Sequence, residues 1–457
     1  MNTTLKGPPN NFFQNIQTTL NWTFRPFEFL DECAKKYGDP IRFGGEQFTS
    51  AVYLSHPIAL EQIFTADPNL FTIGAANQFL EPLLGSNSLI LLDGERHHQQ
   101  RKLVTPPFHG EHMRACGQII CEVAKQVISQ YKVGEPFRVR FCMQDISLQV
   151  ILRTVFGLHS GERFHQLKQL IVAVLDAVGS TVGSGLLLIP SLQKDMGKWS
   201  PWGYFLHQKQ QLDQLLYAEI QERRNAQTYN LHGQVSSPTG DILSQMIGAC
   251  DAAFSMSDAE VHDEIITLLF GGHETTASAL TWALYWMHRF PEVREKLLCE
   301  LDTLPPEPDP KDITRLPYLN AVCQETLRIY PIIPVGFGRF LNTSLKVMGY
   351  QFQRGTALFP AIYLTHRRED IYPEPTHFRP ERFLEKQFSP YEYLPFGGGS
   401  RRCIGMAFAP YEMKLVLATI LRAAEFSLIN HRPLRPVRRS VSVAPPNSFQ
   451  MLLTYKK

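Results

Sequence analysis

Apolar residues recur with helical spacing along most of the chain, and the longest such run is Ser257 to Arg289. Ser257 followed by Glu260 reads as a capping box, and Pro291 closes the far end, so about 33 residues form one helix roughly 50 Å long. A helix of that length crosses a whole domain and must run through its core. A second helix is bracketed by Pro317 and Pro331, a third apolar pattern runs from Met406 to Phe426, and Leu215 to Ala226 is helical before a polar stretch, Tyr229 to Gly240, that reads as a loop. Strand signals are confined to Tyr37–Pro57 and Leu345–Tyr363, where β-branched and aromatic residues lie between Gly and Pro. The pattern therefore predicts a mainly α protein with small β-sheets.

One segment tests whether the chain crosses a membrane. Leu170 to Pro190 carries Asp176 as its only charge and is long enough to span a bilayer, yet Gly179, Gly183 and Gly185 interrupt it and no basic belt flanks it. It is expected to be a helix and loop covering an apolar cavity, with peripheral membrane contact left open. The N-terminus has neither a basic region followed by an apolar run nor an apolar anchor, so residues 1–23 are expected to be a loosely ordered lead-in to a single domain spanning 1–457.

Composition narrows the function. Lys+Arg 45 against Asp+Glu 43 leaves a net charge of +2, too balanced for a nucleic-acid partner, while 44% hydrophobic residues in 457 supply a large core. Eight cysteines without a C-x-x-C pair argue against a disulfide scaffold or clustered zinc site and favour a reducing, cytoplasmic setting.

Three places carry candidate chemistry. In the middle of the long helix, Gly271 and Gly272 each cost about 1 kcal/mol relative to alanine. Either another helix packs closely there, or something flat lies against the backbone, with Thr275 one turn away on the same face as Gly271. His273-Glu274 begins like a zinc helix, but Ala277 stands where the second histidine is required. Glu325 and Arg328 lie at i, i+3, a spacing that by itself suggests a solvated ion pair. Near the C-terminus, Phe396-Gly397-Gly398-Gly399-Ser400-Arg401-Arg402-Cys403-Ile404-Gly405 places a thiol at a helix start, where free N–H groups and the dipole favour the thiolate. The glycines let the loop approach a planar group, Gly405 leaves room for it, and Arg401 offers a cation to an acidic edge. These are the requirements of a haem held by one thiolate; a Gly-rich turn before a buried cysteine would explain Cys403 but not Phe396, Arg401 or Gly405.

The chain here resembles the cytochrome P-450 superfamily of haem-thiolate monooxygenases. The family's ligand loop, F-x-x-G-x-R-x-C-x-G, is matched at every fixed position from Phe396 to Gly405; E-x-x-R falls on Glu325 and Arg328, P-E-R-F on Pro380 to Phe383, and [AG]-G-x-[DE]-T on Gly271 to Thr275. The likeness runs from about Phe24 to the C-terminus. It implies the family fold, with haem b between the long helix and the cysteine loop and Cys403 as axial ligand of the iron. It further implies Glu274 and Thr275 as the acid–alcohol pair of a proton relay, and a buried network of Glu325, Arg328 and Arg382. Arg401, Arg101, His97 (where Trp is commoner) and Arg339 would serve the haem propionates.

An oxidoreductase of this kind uses O2 and external electrons. The resemblance implies a monomer served by a ferredoxin with its reductase, or by a flavodoxin, docking near Arg402, Lys414 and Arg422. The run Arg432, Arg435, Arg438 and Arg439 is expected to be a solvated turn. Family likeness sketches the cavity from Phe71–Leu91, Leu170–Pro190, Ile266–Phe270, Ile332–Phe337 and Pro445–Phe449, all strongly apolar. That favours a lipid-like substrate: a fatty acid, alkane or terpenoid, as in hydroxylases of the cyanobacterial type. A haem-thiolate isomerase or peroxygenase acting on lipid hydroperoxides is the alternative, and a non-catalytic haem sensor or lipid carrier the other.

Overall fold

The computed structural model describes the chain apart from residues 1–4, 45–49, 109, 180, 189–192, 227, 230–234, 237–240, 249 and 252–253. The polar stretch from Tyr229 to Gly240 lies largely outside the described residues. Helices dominate, as the periodicity predicts. Seven of them set the site: α1 (Phe12–Phe24), α2 (Gly94–Val104), α3 (Val139–Val155), α4 (Glu162–Gly179), α5 (Asp258–Arg289), α6 (Pro317–Ile329) and α7 (Phe408–Ala423). The first of these occupies the segment expected to be loosely ordered.

α5 is the axis of the molecule. Its capping box is complete: Ser257 Oγ accepts from Glu260 N at 3.3 Å, and Glu260 Oε2 accepts from Ser257 N at 2.9 Å. Residues 260–266 and 276–285 are buried almost without interruption, including the fully buried Trp282, because α3, α6 and α7 pack around them. Only the stretch around Gly271 opens, and that opening faces the cavity described below.

Five short strands form the main sheet in the order β1 (Ile41–Phe43), β2 (Ala51–Leu54), β5 (Ala357–Pro360), β4 (Arg339–Leu341) and β3 (Phe71–Thr72). β5 runs parallel to β2, with Ala357 opposite Ala51, so the two strand-rich regions of the sequence meet in one sheet. The apolar pattern from Met406 to Phe426 divides: α7 stops at Ala423, and Ala424–Leu428 becomes a strand pairing antiparallel with Gln450–Lys456. Periodicity could not show this, because a ladder partner that distant is invisible locally.

The candidate cover folds as α4 followed by a helix at Thr181–Leu188, and its last two residues, 189 and 190, lie outside the described residues. Among the described residues no helix is long and apolar enough to cross a membrane.

Candidate active site

The cysteine loop is shaped by its glycines. Gly397 and Gly399 adopt φ of +68°, a region that favours glycine, and a Cβ on Gly398 would lie 2.5 Å from the Phe64 ring. The loop thus presses on Phe64, and Cys403 N donates to Phe396 O at 3.0 Å to close it. Cys403 is the N-cap of a one-turn 3-10 helix at Ile404–Met406 that precedes α7. Its Sγ opens onto a cavity of about 350 Å³ and lies 3.8 Å from where a Cβ on Gly405 would stand.

The surroundings of the thiol act in both directions: burial raises its pKa, while the Gly405 N–H and the Arg101 charge lower it.

The opposite charges gather around the same loop. α2 places His97 and Arg101 at i, i+4 on the cavity wall, β4 brings Arg339, and the loop itself supplies Arg401. Burial, with Arg401 and Arg101 adding to it, lowers His97 to about 3. Arg339 is enclosed, lies over the Phe64 ring at 4.7 Å, and donates only to carbonyls, Phe337 O at 3.1 Å and Gly398 O at 3.2 Å; burial and then Arg401 bring its pKa down to about 9. Arg401 reaches Asp93 Oδ1 at 2.6 Å and Leu89 O at 3.0 Å. Among the described residues, Asp93 is the one carboxylate paired with these three guanidiniums. Buried cations left short of anions are costly. A planar group carrying acidic arms, with a metal for the thiol, fits this cradle.

Across the cavity stands the open stretch of α5, where the two glycines do different things. A Cβ on Gly272 would lie 3.1 Å from Ile151 Cδ1 of α3, whereas one on Gly271 would meet nothing within 4 Å. Close packing against a neighbouring helix holds for Gly272, and Gly271 faces open space. Thr275 Oγ1 donates back to Gly271 O. Glu274 is held by three side chains: the Arg140 guanidinium, Gln144 Nε2 at 3.0 Å and Arg439 Nε at 3.1 Å. Arg140 is 1% exposed and also donates to Asn447 Oδ1 at 2.8 Å. Arg140 was not among the residues the sequence suggested, and Arg439 was read there only as part of a solvated turn.

Glu325 and Arg328 are both fully buried, 2.6 Å apart, so the solvated-pair reading fails. Arg382 Nε joins Glu325 Oε1 at 3.1 Å, and Arg328 also donates to the carbonyls of His366 and Pro375 at 2.9 Å. The network ties α6 to residues 366–382.

Four of the five expected wall segments line the cavity, through residues such as Leu89, Gly179, Phe270 and Ile332. Pro445–Phe449 does not; the wall there is Arg439 to Ser442, the turn between β6 (Val437–Arg439) and β7 (Ser442–Ala444). Val443 N bonds Ile332 O at 2.8 Å and draws this hairpin in, while Phe449 is buried in the main core. The basic run is therefore no solvated turn: Arg432 and Arg435 are exposed, but Arg438 stacks on Trp22 at 5.3 Å and Arg439 faces the cavity. Of the expected docking cations, Arg402 is exposed, whereas Lys414 and Arg422 donate to Thr314 O at 3.0 Å and Pro305 O at 2.6 Å.

A family model described as cytochrome P-450 matches residues 5–453. The chain is 36% identical over 418 residues to a Mycobacterium tuberculosis protein named as cytochrome P-450 135B1, covering 91% of this chain and 85% of that one. It is 29% identical over 443 residues to another from the same organism, named as 135A1, covering 96% and 93%. Its fold is similar to that of retinoic acid-bound cyanobacterial CYP120A1 (TM-score 0.82, 24% identity, 99% of this chain and 100% of that one). A cytochrome P-450DA haem domain is equally near in fold (TM-score 0.84, 21% identity, 98% and 96%).

Proposed function

The chain belongs to the cytochrome P-450 family, whose cofactor is haem b, and on that premise we propose that it is a monooxygenase placing one oxygen atom of O2 into a C–H or C=C bond of a lipid-like substrate. The observation that carries the reading is the cradle itself: a thiol open to a cavity that Arg101, Arg339, Arg401 and His97 also line, with Asp93 the one carboxylate paired with these guanidiniums among the described residues. Cys403 Sγ would hold the iron, and the cations would take the propionates. The haem so held supplies O2 activation, with electron density donated by the thiolate.

The rest falls to the chain. Thr275 and Glu274, on the cavity side of α5, would order water and pass protons from Glu274 to the Thr275 hydroxyl. The apolar wall excludes bulk water and selects a fatty acid, alkane or terpenoid. Electrons would come from a separate ferredoxin or flavodoxin meeting the thiol side near the exposed Arg402. α1 presents Phe13, Ile16, Leu20 and Phe24, all exposed on one stripe, which supports peripheral contact of a cytoplasmic monomer with a lipid surface.

The test is spectroscopic and chemical. The reduced, carbon-monoxide-bound protein should show the absorption band of thiolate-ligated haem, Cys403→Ser should lose it, and a surrogate ferredoxin system should yield hydroxylated lipid. A normal thiolate band with no product from any lipid would leave the cofactor assignment standing and remove the substrate class.

A further inference from the structure

We propose that Arg439 anchors the carboxylate of an acidic lipid, so that among apolar substrates the protein selects long-chain acids over hydrocarbons and esters. This rests on the reading of the cavity as a substrate site and deepens it. The cradle cations surround the thiol loop, where the cofactor's acidic arms would engage them; Arg439 enters from the β6–β7 turn and meets the helix on the other side.

Its present partners leave it capacity. Arg439 Nε lies 3.1 Å from Glu274 Oε1, but that carboxylate also serves Arg140, so two guanidiniums share one largely buried anion. The other contact, Nη2 to Asp176 Oδ1 at 3.2 Å, reaches a carboxylate that is 54% exposed on α4, a screened and weak pair. An acid group entering an apolar cavity is costly to bury unless it meets a cation. Arg439 is 12% exposed and opens onto that cavity, so an incoming carboxylate can take the place of Asp176, which returns to solvent.

The turn is built to hold this position. Ser440 has φ +54°, uncommon outside glycine, and such conformations persist where the surroundings over-determine them. Here Arg438 Nε donates to Ser440 O and Ser442 Oγ to Arg439 O, both at 2.9 Å, while Val443 N fixes the hairpin to Ile332 O. On the facing α4, Gly179 leaves room: a Cβ there would stand 3.4 Å from Arg439 Nη2.

Dodecanoic acid, its methyl ester and dodecane are titrated into the holoenzyme, and binding is read from the shift of the haem absorption band. The acid should bind wild type about tenfold or more tighter than the ester, the ratio expected of one charge-assisted contact. Arg439→Gln should abolish that preference and Arg439→Lys restore part of it. Asp176→Asn, which removes the competing carboxylate, should strengthen acid binding and leave ester binding where it was. Equal binding of acid and ester by wild type overturns the anchor while the lipid reading stands, and an acid preference that persists in Arg439→Gln also overturns it. If none of the three ligands shifts the band, the lipid reading falls and the anchor with it.

Discussion

The Arg140 guanidinium, 1% exposed, is bound to the Glu274 carboxylate across 134 residues of sequence, and Arg439 Nε lies 3.1 Å from the same oxygen, Oε1. Glu274 is thus held beside the cavity, adjacent in the chain to Thr275.

Arg140→Met removes one cation, takes from Asn447 Oδ1 its guanidinium donor and leaves Glu274 to Gln144 and Arg439. Breaking a buried pair in this way costs roughly 3–5 kcal/mol. Urea unfolding of the variant should show a lowered midpoint with the slope unchanged. A midpoint equal to wild type would mean that Arg439 and Gln144 suffice.

Thr275→Ala leaves α5 intact, since the hydroxyl bonds only within the helix, to Gly271 O. The expected result is electron consumption at near wild-type rate, with hydrogen peroxide released in place of product. Reductant use, peroxide and product measured together give the coupling ratio, and unchanged coupling would remove Thr275 from the relay.

Glu325→Ala strands Arg328 and Arg382 in a site where the native side chains are 0% and 4% exposed. A loss of about 3–5 kcal/mol should follow, with poor haem retention because α6 and residues 366–382 come apart. Haem content per chain after purification checks the second effect. Glu325→Gln, which keeps an acceptor but not the charge, should be intermediate.

Acid stability should report His366. Burial, then the charge of Arg328, lowers its pKa to about 3, and its Nε2 accepts from Leu394 N at 3.0 Å, which a protonated ring could not do. The unfolded chain binds this proton near pH 6.5 and the folded one does not, so stability falls as pH drops from about 6.5 towards 3. The slope from this group approaches roughly 1.4 kcal/mol per pH unit. His366→Gln should flatten the dependence of unfolding free energy on pH over that window; an unaltered slope would assign the acid sensitivity to other histidines lowered by burial, His97 (to about 3), His273 and His288 (each to about 4).

What was legible in the sequence was whatever is encoded locally. The capping box and Pro291 bounded α5 to within a residue, and the spacing of Phe396 to Gly405 marked the thiol loop, because caps, turns and ligand loops are made by neighbours in the chain. Long-range pairing was hidden. Arg439 sits in a run that reads as a charged surface, and only the bond from Val443 to Ile332 turns it inward. Arg140 was hidden for the same reason, since its partner lies on another helix.

The glycine doublet of α5 has a bearing on how the cavity can change over evolutionary time. A methyl at 272 would stand 3.1 Å from Ile151 Cδ1, so that side chain must shift by a few tenths of an ångström, whereas a methyl at 271 projects into open space. Position 271 is therefore a dial for the volume offered to the occupant, and position 272 adjusts only the fit of one side chain between two helices.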